Sequence, residues 1–237
     1  MKEVLIRIEK NKQEFANLPL FQYLQNNSIH PRQRLVWAPC FTHMAMDFTD
    51  LLKYNFRKEP ADNKIQELIN EHTYEDETHY VWFLEDLEKL GLNQSQKFTD
   101  SLKFIWGQEI EKTRQICKEV ALLIFKAEPA IVLAVVEAIE ATGNVIFTNT
   151  KPVAEELQKI TKEQYQYFNH HHLSRETGHT MGTNEVESFI ESIELTDEQR
   201  NQAFQAVDKL FALVTEAMNE MMVYAKNHPI EQAVKVA

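Results

Sequence analysis

Apolar residues recur three and four positions apart through most of the chain, which is the spacing of amphipathic α-helices. Proline and glycine interrupt this pattern and mark where helices begin and end. The pattern predicts helices at about 4–15, 31–56, 63–90, 98–126, 129–141, 152–178 and 196–229, with the fourth broken near Gly107. Six or seven helices of this kind make a bundle.

Prolines and a capping pair locate the later helices. Pro129 starts a segment that is apolar on all sides, which predicts a helix at the centre of the bundle. Pro152 is predicted to start the next helix, whose last turns carry the histidines at 170–172. Thr196, followed three residues later by Gln199, is a capping box that opens the last helix.

Composition also favours helix. Only 5 of the 237 residues are glycine, which is about 2% against a usual ~7%, and β-rich folds need more glycine for their turns. No internal repeat, low-complexity linker or shift in composition divides the chain. We therefore expect an all-α fold in one domain, residues 1–237, with residues 1–30 as an N-terminal extension packed on the bundle.

The formal net charge of −11 disfavours a nucleic-acid surface or an anionic membrane, since either calls for clustered lysine and arginine. Cys40 and Cys117 are too few for a disulfide framework, and no signal peptide opens the sequence. The longest apolar runs are far shorter than a membrane span. We expect a cytoplasmic protein that acts on a small molecule; a homodimer is an open alternative to a monomer.

The first chemical feature is a histidine and acid face in the segment 72–79. His72, Glu75, Asp76 and His79 stand at positions i, i+3, i+4 and i+7, so they share one helical face. Asp76 and His79 also form the carboxylate-x-x-His pair that di-iron bundles use. The alternative is a solvated acidic face over residues 71–77.

A second face of the same kind lies later in the chain. His172, Glu176 and His179 stand at i, i+4 and i+7 and can point into one pocket. The alternative for the histidines at 170–172 is a polar helix end.

Two acids, Glu137 and Glu140, interrupt the apolar segment that Pro129 starts. Carboxylates in such surroundings need a partner, and a bound cation is one. Salt bridges to Lys126 or Lys151 are the alternative.

Imidazole and carboxylate ligands without thiolates suit iron, manganese or zinc. Several bridging acids together with three or more histidines favour two irons, because carboxylates shift between terminal and bridging modes while imidazoles leave positions open for O2. We therefore expect a site for two iron ions, or for iron and manganese.

The motif His172-x3-Glu176-x2-His179 resembles that of the haem-oxygenase-like di-iron oxidase superfamily. That superfamily includes the Chlamydia protein associating with death domains and, more distantly, TenA-like proteins. Its members carry His-x3-Asp/Glu-x2-His on a late helix, preceded by a Glu on a central helix. Here Glu140 lies 32 residues before His172. The stretch from His79 to the Leu-Gly pair at 90–91 is similar to the family's histidine followed by aromatic residues and Leu-Gly.

The chain departs from the family's pattern at one position. The family places a Glu seven residues before its first histidine, and here that position holds His72. Glu75 or Asp76 is then left to supply the carboxylate. The family draws a further ligand from its first long helix, for which Asp47 is the candidate and His43 the rival.

The resemblance implies a seven-helix haem-oxygenase-like bundle that holds two irons and no haem. It also implies O2-dependent oxidation of a small organic molecule, although reactions differ so widely among members that the fold does not choose between them. The implied metal ligands are His72, Asp76, His79, Glu140, His172, Glu176 and His179, with Asp47 as a weaker one.

Two other functions stay open. A metal-free TenA-like hydrolase of thiamine-related pyrimidines needs a cysteine nucleophile with acid and base partners, and Cys117 has no histidine close to it in sequence. A non-catalytic helical interaction protein is the other alternative, and His72 in place of the family's acid keeps it open.

Overall fold

The computed structural model describes residues 1–93, 95–169 and 184–230. Within these ranges the chain forms helices and their connections and no β-strand, which confirms the all-α class. The helices are α1 (Lys2–Phe15), α2 (Pro19–Leu24), α3 (Pro31–Arg34), α4 (Thr42–Leu51), α5 (Lys64–Asp76), α6 (Tyr80–Lys89), α7 (Phe98–Ile105), α8 (Glu111–Ile124), α9 (Pro129–Thr161), α10 (Asn184–Ser192) and α11 (Asp197–Asn227). Short 3-10 turns at Ala38–Phe41 and Gln108–Ile110 precede α4 and α8, and one π-helical turn, Leu52–Phe56, extends α4.

The apolar helix α9 lies at the centre of the fold, as its composition predicts. It packs against α1, α5 and α11. By length and composition alone α9 could cross a membrane, but 67% of its most apolar stretch is buried inside the protein. Burial among the other helices therefore accounts for its apolar character.

The prediction that Pro152 starts a separate helix reaching residue 178 is wrong. Pro152 lies inside α9, which runs without interruption from Pro129 to Thr161. The buried side chains of Val153 and Leu157 continue the packing beyond the proline, and this packing outweighs the backbone hydrogen bond that proline removes. Lys162, with φ +65°, ends the helix. The histidines at 170–172, predicted to lie on its last turns, are outside the described residues.

The predicted helix over 63–90 divides into α5 and α6 at residues 77–79. Contacts from other segments stabilise the break. The Thr49 hydroxyl donates to the Glu77 carbonyl oxygen at 3.2 Å, and Arg57 Nη2 lies 2.6 Å from Glu77 Oε2. The segment predicted as one helix over 31–56 is divided as well, with α3 and α4 separated by the turn that contains Pro39.

Other parts of the sequence pattern are confirmed. The chain breaks near Gly107 between α7 and α8, and α11 opens with the capping box of Thr196 and Gln199. The pattern missed α2 and α10, which have 6 and 9 residues and are too short to show a period. In the N-terminal part, α1 packs against α9 and α11.

Candidate metal centre

Helix α5 supplies the first two residues of the site. The Asn63 side chain caps this helix by accepting a hydrogen bond from the Gln66 backbone N–H at 2.9 Å. His72 and Asp76, one turn apart, turn inward and are only 1% and 7% exposed. Ionisable groups buried this deeply need charged or polar partners.

Glu140 reaches the same place from α9. His72 Nε2 lies 3.3 Å from Asp76 Oδ2 and 3.3 Å from Glu140 Oε1, and one ligand atom from each residue lies within 4.8 Å of the others. Donor atoms bound to one ion at about 2.1 Å lie about 3 Å apart. The three side chains therefore stand at the spacing of a metal site. Lys151 is one of the two lysines expected to pair with Glu137 or Glu140. Its Nζ instead lies 3.8 Å from Glu155 Oε1.

His79 joins this group because the chain turns between α5 and α6. Its Nδ1 lies 3.4 Å from Asp76 Oδ1. Its ring stacks on Trp82, with ring centroids 4.5 Å apart and planes at 20°, which fixes the orientation of the imidazole. Asp76 therefore directs one carboxylate oxygen toward each of two histidines. We call His72, Asp76, His79 and Glu140 the α5–α9 cluster.

Burial makes negative charge unfavourable at this place. Burial, reinforced by the carboxylate of Glu75, raises the pKa of Asp76 to about 8. Burial, reinforced by Glu187, likewise raises the pKa of Glu137 to about 7. Glu137 Oε1 is buried and accepts no hydrogen bond from the residues that the structure describes. A cation bound beside Asp76 would offset the desolvation of its carboxylate, and a mixed set of imidazole and carboxylate donors fits iron or manganese.

Asp47 and His43, the candidates from the first long helix, pair with each other on α4. Asp47 Oδ2 lies 2.9 Å from His43 Nδ1, and His43 Nε2 lies 3.0 Å from the Ile105 carbonyl oxygen. The hydrogen bond with Asp47 raises the pKa of His43. Both ring nitrogens of His43 are therefore engaged. Asp47, with its side chain 42% exposed, lies beside His43 and not in the three-residue group above.

The three residues of the later motif, His172, Glu176 and His179, lie outside the described residues.

The segment just before this motif is held by Asp86 of α6. The Asp86 carboxylate accepts hydrogen bonds from the backbone N–H groups of Gln166 at 2.9 Å and Phe168 at 3.1 Å. Asp86 is fully buried, so this attachment is a fixed feature of the fold.

A cavity of about 100 Å³ lies beside the cluster, and Asp76, His79 and Glu140 form part of its wall. Most of the remaining wall is apolar and comes from α4, α8, α9 and α11. Tyr80 and Tyr167 also line it. Sequence reasoning missed both tyrosines, because an aromatic residue among apolar ones predicts core packing equally well.

Comparison with models of known protein families finds no match to this sequence. A search of curated proteins also finds none.

Proposed function

We propose that this protein is an O2-dependent, non-haem di-metal oxidase or oxygenase that acts on a small organic molecule, with two irons, or iron and manganese, as its metals. The observation that carries the proposal is the position of Asp76. One of its carboxylate oxygens lies 3.3 Å from His72 Nε2, and the other lies 3.4 Å from His79 Nδ1. An acid placed between two imidazoles is suited to serve two ions.

The fold proposed for this function is the seven-helix haem-oxygenase-like bundle. Three features support membership of that superfamily: the all-α architecture, the acid on a long central helix, and the interval of 32 residues between Glu140 and His172. Fold likeness alone does not identify a reaction, so the site carries the functional part of the proposal.

The residues proposed to hold the metals come from three parts of the chain. His72 and Asp76 lie on α5, His79 directly precedes α6, and Glu140 lies on α9. We propose that the later motif completes the set with His172, Glu176 and His179, and that Asp47 is a weaker ligand. Iron held by these residues would supply electrons for the reduction of O2.

The protein's own residues orient the ligands and exclude water. The ring of His79 is held by its stack on Trp82, and the deep burial of His72 and Asp76 keeps bulk water from the donors, which strengthens their electrostatic interactions. The adjoining cavity gives a small substrate a place next to Asp76 and Glu140.

The environment of Cys117 does not support the alternative function of a metal-free hydrolase. Its thiol is buried and donates to the His43 carbonyl oxygen across 3.7 Å. Burial raises the pKa of this thiol well above its ordinary value. A thiol held in the protonated form is a poor nucleophile.

Metal content per chain tests the proposed function. The full-length protein is purified without chelator, reloaded anaerobically with Fe(II) and measured by elemental mass spectrometry. Glu140→Gln keeps the shape of the side chain and removes its charge. Glu155→Gln is the matched control, because Glu155 is exposed on the same helix.

Close to two metals in the wild type and in Glu155→Gln, with loss in Glu140→Gln, would support the proposal and justify an O2-consumption screen of small amines and acids. A wild-type protein that retains no metal after reloading would refute it. Retention of the full metal content by Glu140→Gln would refute the assignment of Glu140 as a metal ligand.

A further inference from the structure

The cavity beside the α5–α9 cluster has mostly apolar walls. Aliphatic and aromatic side chains from α4, α8, α9 and α11 enclose it, among them Phe48, Ile116, Ile146 and Leu210. Ile116, Ile146 and Leu210 are buried in the core, so these walls are fixed parts of the bundle. A ligand in this space therefore makes most of its contacts with carbon atoms.

The acids of the wall are already engaged by histidines. The two Asp76 oxygens lie 3.3 Å from His72 Nε2 and 3.4 Å from His79 Nδ1, and Glu140 Oε1 lies 3.3 Å from His72 Nε2. The metals proposed above would bind the same carboxylates. Among the described residues that line the cavity there is no lysine or arginine. A charged group that entered the cavity would therefore lose its hydration without gaining an uncommitted opposite charge.

The size of the cavity limits the ligand. A protein cavity of about 150 Å³ lined by apolar side chains holds one benzene molecule. At about 100 Å³, this cavity has room for an apolar group of about four carbon atoms.

We propose that the cavity is a binding site for an uncharged aliphatic group of about four carbon atoms. Such a group gains by leaving water and by dispersion contacts with the apolar walls. A charged group on a larger ligand would remain outside the cavity. The role of the aliphatic group as part of the substrate rests on the proposed function; its binding does not.

The test compares three probes with the same four-carbon body: n-butane, n-butylamine and butyrate. Their dissociation constants are measured by NMR titration on the full-length protein, with n-butane supplied as dissolved gas. We expect n-butane to bind about tenfold or more tightly than the other two, because each of those has to bury a charge. Butyrate or n-butylamine binding as tightly as n-butane, or no binding of n-butane, would overturn the proposal.

A variant that fills the cavity locates the binding. Ala45 is buried and lines the cavity, so Ala45→Leu should abolish n-butane binding. Ala212→Leu adds the same atoms at an exposed position of α11 and should leave the binding unchanged. Wild-type affinity for n-butane in Ala45→Leu would overturn the assigned location.

A variant that enlarges the cavity tests the size limit and does not depend on whether Ala45→Leu folds. Leu210→Ala removes carbon atoms from the buried wall and leaves additional space. We expect it to bind benzene about tenfold or more tightly than the wild type does. Equal affinities of the two proteins for benzene would overturn the assignment of this cavity as the site.

These binding measurements can be separated from the test of the proposed function. Failure of n-butane binding together with a normal metal content would reject this inference alone. Binding of n-butane by a protein that retains no metal would reject the oxidase and keep the cavity as a site for an aliphatic group.

Discussion

His72 Nε2 lies 3.3 Å from Glu140 Oε1, although the two residues are 68 positions apart in the chain. The contact joins α5 to the central helix α9 at a place where His72 is only 1% exposed. Burying an imidazole between acids is unfavourable unless charge and hydrogen bonds are balanced. The cation that we propose for this site would supply the balancing charge at a contact that also holds α5 against α9.

Metal should raise the thermal stability of the wild type, because only the folded chain brings these donors together. At a free Mn(II) concentration of about 100 times Kd, the gain is about 2.7 kcal/mol, which corresponds to a rise in Tm of about 5–10 °C for a chain of this size. We expect Glu140→Gln to show little of this rise in differential scanning fluorimetry. An equal rise in Tm in the wild type and in Glu140→Gln would show that Mn(II) binds at another site.

Asp86→Ala should destabilise the protein by about 2–4 kcal/mol, because it leaves the part-buried backbone N–H of Gln166 and the buried N–H of Phe168 without their acceptor. Urea unfolding at constant pH measures the loss. Asp86→Asn, which retains one acceptor oxygen, is the control and should lose less. A loss below about 0.5 kcal/mol in Asp86→Ala would mean that this attachment contributes little.

Asp86 should also make stability depend on pH. Burial raises its pKa to about 6, above its unfolded value of about 3.9, so the folded state binds the proton more tightly than the unfolded state does. Its stabilising contribution is therefore full below the unfolded pKa and is lost as pH rises through about 6. The difference in unfolding free energy between wild type and Asp86→Asn should shrink from pH 3.5 to pH 7. If this difference in unfolding free energy instead grew over the range, folding would lower the pKa of Asp86 and not raise it.

Pro152→Ala should stabilise the protein by about 1–3 kcal/mol, since proline inside a helix removes a hydrogen bond and crowds the preceding turn. Pro152 is exposed on α9, so little packing is lost, and only the gain in unfolded-chain freedom opposes the effect. Thermal unfolding measures the change. A drop in Tm would show that the bundle depends on the shape that the proline gives to α9.

The part of the site that could be predicted from sequence is the part that local geometry determines. His72 and Asp76 share a face because they are one helical turn apart, and Glu140 is conspicuous because it lies among apolar residues. That α5 would bring these residues to Glu140 depends on packing between distant segments. The helical period contains no information about such packing.

The wrong predictions of helix boundaries also arise from packing between distant segments. The break before His79 is stabilised by Thr49 and Arg57, which come from earlier segments, and α9 continues through Pro152 because burial on both sides favours it. Tertiary contacts override local signals in each case.

The most direct test is a crystal structure of the Fe(II)-loaded protein, with anomalous scattering recorded at the iron edge. We predict anomalous peaks among His72, Asp76 and Glu140, with the nearest donor atoms about 2.0–2.3 Å from the metal. Anomalous density elsewhere on the protein, or none in a loaded crystal, would contradict the central claim.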